Sequence, residues 1–180
     1  MKANVIIRVL CTGVVFLSSL MVRAQHSDQV SAVVNIVLAD VLSLDLGSGT
    51  ADAALNFNYL NTSDYNTSKT VTVPNSLVII SSKNFDLKVK SEGADFVNGT
   101  DTIPVDVLLI KAVAGGSLVG TFNEVTLSEA DQVLVSNASV GAGKSLDIAY
   151  SISAEKASKV LLGKARGTYS QKVIYTATAL

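Results

Sequence analysis

Among its 180 residues the chain has no tryptophan, one cysteine, one histidine and two prolines. Each scarcity removes a class of function. Cys11 is the lone thiol, so no disulfide closes within the chain and no cysteine-built metal site can form. His26 is the lone imidazole. A general base needs a partner and a fixed scaffold, and a residue beside a candidate cleavage point has neither. No Ser-His-Asp or Cys-His centre is therefore expected. The want of tryptophan removes the aromatic platform on which a glycosidase usually holds sugar. Calcium loops of the Asp-x-Asp kind are missing, and no spacing singles out a working pair among the 15 acidic residues. No metal, no cofactor and no enzymatic activity are expected. The 14 basic side chains are scattered, which leaves no electrostatic footprint for nucleic acid.

One motif survives this sieve only on paper. Ala138-Ser-Val-Gly-Ala-Gly143-Lys144-Ser145 fits the looser form of a phosphate-binding loop. That loop works because a helix follows it and turns its N-terminal amides toward the phosphates. Here Leu146, Ile148, Tyr150 and Ile152 alternate with Asp147, Ala149 and Ser151, so a strand follows. The run reads as a glycine-rich hairpin turn.

What the chain does have is apolar alternation. Residues 1–24 read as a signal peptide: Lys2 supplies the charged start, Val5 to Val22 is mostly apolar, and Ala24 closes the segment before Gln25. A lipoprotein role for Cys11 is not expected, because Val9 and Leu10 before it are not small. Loss of residues 1–24 would remove Lys2, Arg8 and Arg23 and no acidic residue, leaving a mildly acidic secreted chain. Residues 25–180 read as a single domain. Directly after the cleavage point, Val30, Ala32, Val34, Ile36 and Leu38 alternate with Ser31, Val33, Asn35 and Val37. A period of two over this stretch predicts a strand of roughly 30 Å.

Further strands are expected along the chain. Leu55, Phe57 and Tyr59 alternate with Ala54, Asn56 and Asn58, after a Gly47-Ser48-Gly49-Thr50 turn. Thr70 to Val73 and Leu77 to Ser81 are β-rich runs, with Pro74-Asn75 as the break between them. Phe85, Leu87 and Val89 form an inward row opposite Asp86, Lys88 and Lys90. Asn98-Gly99 marks a turn. Ile103, Val105, Val107 and Leu109 form another inward row, with Pro104 at the strand's start. Phe122 to Leu127 and Gln132 to Ser136 are shorter strands. Ala154 to Leu162 is the sole stretch with a helical look. Thr168 to Leu180 is the last strand, with Tyr169, Val173, Tyr175 and Ala177 inward. Nine or ten short strands with turns between them predict an all-β, immunoglobulin-like antiparallel β-sandwich. Asn-x-Ser/Thr triplets at Asn61, Asn66, Asn98 and Asn137 read as loop composition, and Asp101-Thr102-Ile103 has the form of a bacterial O-glycosylation acceptor.

The order of these pieces resembles the major subunits of chaperone–usher fimbriae, nearest to the CS1-type (alpha) branch of pilin-like proteins. The resemblance is carried by the strand Val30 to Leu38 leading through Ala39-Asp40-Val41 into Leu42-Ser-Leu-Asp-Leu-Gly-Ser-Gly. Ala53-Ala-Leu-Asn-Phe-Asn-Tyr59 with its Asn-rich sequel, Ile103-Pro-Val-Asp-Val107 and Gly167-Thr-Tyr169 carry the rest. The chain departs from that pattern in having only five residues between Ala24 and Val30. The resemblance implies a sandwich lacking one strand, completed by donor-strand exchange with a neighbour. Val30, Ala32, Val34, Ile36 and Leu38 would be the inserted row. It also implies self-association into a surface fibre, export through a periplasmic chaperone and an outer-membrane usher, and a role in cell adhesion with a receptor left unnamed. A rival reading from the residues is a stand-alone secreted β-sandwich binding module, for carbohydrate, using the loops Asn61–Ser68 and Glu92–Thr102.

Overall fold

A computed structural model describes residues 29–47 and 54–180. The expected signal peptide, His26, and Ser48 to Thr50 of the expected turn lie outside the described residues. The chain divides into a short unit ending at Val37 and a compact unit, Leu38–Leu180.

The compact unit is an all-β antiparallel sandwich with eleven strands among the described residues. They are β1 (Leu42–Leu46), β2 (Lys69–Ser81), β3 (Phe85–Ser91), β4 (Asp95–Asn98), β5 (Asp101–Pro104), β6 (Leu109–Val113), β7 (Thr121–Phe122), β8 (Glu124–Thr126), β9 (Gln132–Ala138), β10 (Gly141–Ile152) and β11 (Val173–Ala179). One sheet runs β1-β2-β10-β6-β8 and the other β11-β3-β9-β7, with β4 and β5 as a separate hairpin. Every pairing between these strands is antiparallel.

Alternation decides which side chains meet between the sheets. Successive strand residues point to opposite faces, so Phe85, Leu87 and Val89 of β3 are buried while Asp86, Lys88 and Lys90 are half-buried on the other face. Leu146, Ile148, Tyr150 and Ile152 of β10 meet them from the opposite sheet, as do Leu77 and Ile79 of β2. In β9 the consecutive residues Leu134 and Val135 are both buried. A register shift between β3 and β9 makes this possible, since an extra residue lets two neighbours share one face.

The break expected at Pro74-Asn75 is instead a bulge inside one long strand. β2 runs through it, and its pairing with β10 jumps from Leu77↔Leu146 to Val73↔Ile148. Asn75 takes the left-handed conformation, φ 46°, and its N–H donates to Asp147 Oδ1 at 2.7 Å. The ladder to β1 ends here, with Gly47 N donating to Ser76 O at 2.9 Å. The chain passes so close that a Cβ on Gly47 would lie 1.6 Å from Asn75 O, which admits glycine alone.

The inward row Ile103 to Leu109 is also corrected. Pro104 ends β5 instead of opening a strand, and Val105–Val107 forms a 3-10 turn. Ile103, Val105 and Val107 are buried, but Leu109 lies half-buried at the start of β6. The turn shifts the face on which the alternation resumes. The Asn98-Gly99 turn stands as expected, between β4 and β5 with Gly99 at φ 61°. The last strand begins at Val173, later than expected, and the helical stretch is a short turn, Ala154–Lys156, running into a π-helical turn, Ala157–Leu161.

Candidate functional site

Val30, Ala32, Val34, Ile36 and Leu38 lie in a stretch, Gln29–Val41, that forms neither strand nor helix. The strand expected over Val30–Leu38 is thus not formed within the chain. The reason is physical: periodicity states which face a segment would bury, while a strand exists only where a second strand takes its N–H and C=O groups. The whole row is exposed, from Val30 at 96% to Leu38 at 88%. The opposite face is also apolar in part, because Val33 and Val37 are 88% and 91% exposed.

The stretch is bonded to the sandwich at Asp40 and Val41. The Ser82 N–H donates to Val41 O at 2.9 Å, and the Val41 N–H donates to Ser82 Oγ at 2.9 Å. Asp40 Oδ2 lies 2.7 Å from Lys83 Nζ. From there β1 pairs with the second half of β2, Leu42↔Ser81 to Leu46↔Leu77.

Two further segments carry backbone that is not laddered on one side or at all. β11 is the end strand of its sheet and pairs only with β3, Val173↔Ser91 to Ala179↔Phe85. Its inward residues Val173, Tyr175 and Ala177 pack on the core yet stay half-buried. The Tyr175 hydroxyl lies 2.6 Å from that of Tyr150. Burial raises the Tyr175 phenol well above its ordinary range, and Tyr150 adds to the shift.

The second segment is 54–60, expected as a strand. Its burial alternates as a strand's would: Leu55, Phe57 and Tyr59 pack on the core, while Ala54, Asn56, Asn58 and Leu60 are exposed. Yet none of its residues makes a backbone–backbone hydrogen bond among the described residues; it is held by its apolar side chains on the core and by side chains that bond its backbone. Its end is fastened firmly. The N–H groups of Leu60 and Asn61 donate to Asp64 Oδ2 at 2.7 and 3.0 Å, and Lys69 Nζ reaches Asp64 Oδ1 at 2.8 Å. The Lys69 ammonium also donates to Asn58 O and sits 4.8 Å from the centre of the Tyr59 ring. These bonds, that from Lys69 foremost, hold the Asp64 carboxyl down at about 2. The alternation is legible in the sequence, and the Asn61-x-x-Asp64 spacing is the signal of the capped turn at Thr62–Asn66; the reach of Lys69 to Asp64 has no such signal.

The loops Asn61–Ser68 and Glu92–Thr102 are both built, the first as that capped turn and the second around the β4–β5 hairpin. The phosphate-loop match runs from the end of β9 through Ser139-Val140 into the first residues of β10, so a strand follows it. No cluster of histidine, cysteine, aspartate and glutamate suited to a metal ion occurs among the described residues, and no helix among them is long and apolar enough to cross a membrane. No protein-family model matches the chain, and no curated protein matches it.

Proposed function

We propose that this chain is a non-catalytic structural subunit of a bacterial surface fibre, which polymerises by lending residues 30–38 to the sandwich of the next copy. The observation that carries the reading is a mismatch within one molecule. A strand-length apolar segment stands exposed and unpaired, and the final strand β11 keeps a full edge without a ladder.

In this reading the incoming segment pairs along β11. Its even-numbered row, Val30 to Leu38, then covers the half-buried Val173, Tyr175 and Ala177. Backbone hydrogen bonds supply affinity and the alternate side chains supply register, as in other strand-addition complexes. Export through the segment 1–24, and delivery by a periplasmic chaperone and an outer-membrane usher, belong to the same reading. Adhesion to a receptor would be a property of the assembled fibre.

The test compares the chain starting at Gln25 with one starting at Ala39. The longer form should run as a ladder of oligomers before boiling and as a monomer afterwards, and the shorter form as a monomer throughout. A synthetic peptide of residues 29–39 should raise the melting temperature of the shorter form. A longer form that stays monomeric, with a shorter form equally heat-stable and indifferent to the peptide, overturns the proposal.

A further inference from the structure

A cleft of about 360 Å³ lies at one end of the five-stranded sheet, where β2 begins, β10 ends, β6 begins and β8 ends. The pairing registers explain its lining. Thr70 stands opposite Ser151, Ser151 opposite Leu109, and Leu109 opposite Thr126. These four therefore form one row across four strands. Their neighbours Tyr150, Ile110 and Val125 are buried, so the row faces away from the core. With strands about 4.8 Å apart, the row is about 14 Å long.

Three of the four side chains are hydroxyls, and none of the three makes a hydrogen bond with another residue's side chain or backbone through that hydroxyl among the described residues. This contrasts with the other two hydroxyls of the cleft. Ser68 Oγ accepts from the Ala154 N–H at 3.0 Å and Ser153 Oγ from the Lys156 N–H at 3.1 Å; both cap the helical turn. The cleft also holds the ion pair of Lys156 Nζ and Asp106 Oδ2, 2.7 Å apart. The pair uses one carboxylate oxygen and one ammonium hydrogen, leaving an acceptor and two donors, and adds no net charge. Leu109 supplies an apolar step between the hydroxyls.

We infer that this cleft binds a short neutral oligosaccharide laid across the strands, with the hydroxyl row and the Asp106–Lys156 pair as its polar contacts. The chemistry fits a polyhydroxylated ligand: hydroxyls that donate and accept in turn, a paired carboxylate and amine, and an apolar surface for ring C–H groups. The balanced charge disfavours an anion or a cation. The length of the row matches a chain of sugar rings better than one ring. The site is separate from β11 and from residues 30–38, so it stands whether or not fibre assembly does.

The experiment is saturation-transfer and chemical-shift NMR on the full chain starting at Gln25, in the form lacking assembly through I36D. The probes are maltotriose, cellotriose and N,N′,N″-triacetylchitotriose, with trigalacturonate as the acidic control. At least one neutral probe should bind and shift amides of Thr70, Ser151 and Thr126. Thr70→Val and Thr126→Val, which keep shape and remove the hydroxyl, should each weaken it several-fold, up to about tenfold, with unchanged melting temperature. Absence of binding by all three neutral probes, binding untouched by both valine variants, or tighter binding of trigalacturonate would each overturn the inference.

Discussion

Strand β3 and the segment Val30–Leu38 have the same kind of sequence and opposite fates. Both alternate apolar residues with a period of two. β3 lies between β11 and β9, and its Phe85, Leu87 and Val89 are at most 1% exposed. In Val30–Leu38 the large residues are at least 82% exposed. The difference teaches that alternation encodes a demand for neighbours without naming them. β3 also carries charge on its second face, whereas Val33 and Val37 place apolar side chains on both faces of the segment. A strand apolar on both faces suits a place covered on both sides.

The comparison can be broken most decisively at assembly. Ile36→Asp should abolish the oligomer ladder and leave the melting temperature of the monomer unchanged, since burying an unpaired carboxylate is costly and the monomer does not bury it. A variant that still forms the ladder would remove Ile36 from the docking row. The matching change in β3, Leu87→Ala, should lower unfolding free energy by about 2–5 kcal/mol, measured by urea denaturation of the monomer. If Ile36→Ala cost as much as Leu87→Ala in the same assay, the segment would be packed within its own chain and the contrast would vanish.

β11 lies between these extremes, laddered on one side only. Tyr175→Phe should cost about 1 kcal/mol, because it removes the partner of the Tyr150 hydroxyl. The same pair sets an alkaline limit. The folded phenols hold their protons more tightly than unfolded ones, Tyr175 most of all. Their contribution is complete below the ordinary phenol value near 10 and is lost as pH rises above it. Denaturation midpoints from pH 9 to 11 should fall more steeply for the native chain than for Tyr175→Phe. The smallest effect belongs to segment 54–60. Asp64→Asn should speed hydrogen exchange at the Leu60 and Asn61 amides with little change in melting temperature. At Asp64 the sign is reversed: its carboxyl is held at about 2, so its contribution is present above the ordinary carboxylate range and lost as pH falls toward 2.

Local pattern carried the strands whose partners agree with it. The rows on β3 and β10, the Asn98-Gly99 turn and the short helical turn after Ser153 were all readable, because each depends on a few adjacent residues. At Pro74-Asn75 local pattern points to a break, because what keeps β2 whole is distant: Asp147, 72 residues on, accepts the Asn75 N–H. Local pattern puts Leu109 inward because a 3-10 turn is invisible in a row of alternating apolar residues. For the candidate site, the apolar row was legible and its lack of a partner was not. The free edge of β11 is a property of strand order, and strand order appears only when the whole chain is folded. The hydroxyl row of the cleft is hidden for the same reason, since Thr70, Leu109, Thr126 and Ser151 meet only through register.

The fastening at Asp40 and Val41 has a mechanical consequence. A pull applied through residues 29–38 reaches the sandwich first at the Asp40–Lys83 ion pair and the Val41–Ser82 hydrogen bonds. Behind them stand the five paired residues of β1, bonded to the longest strand of the domain. Tension passed through this ladder reaches β2 and from there β10, the strand at the centre of the larger sheet. Under such a load β1, the edge strand of its sheet, is expected to detach first, taking with it Leu44, which packs on the core.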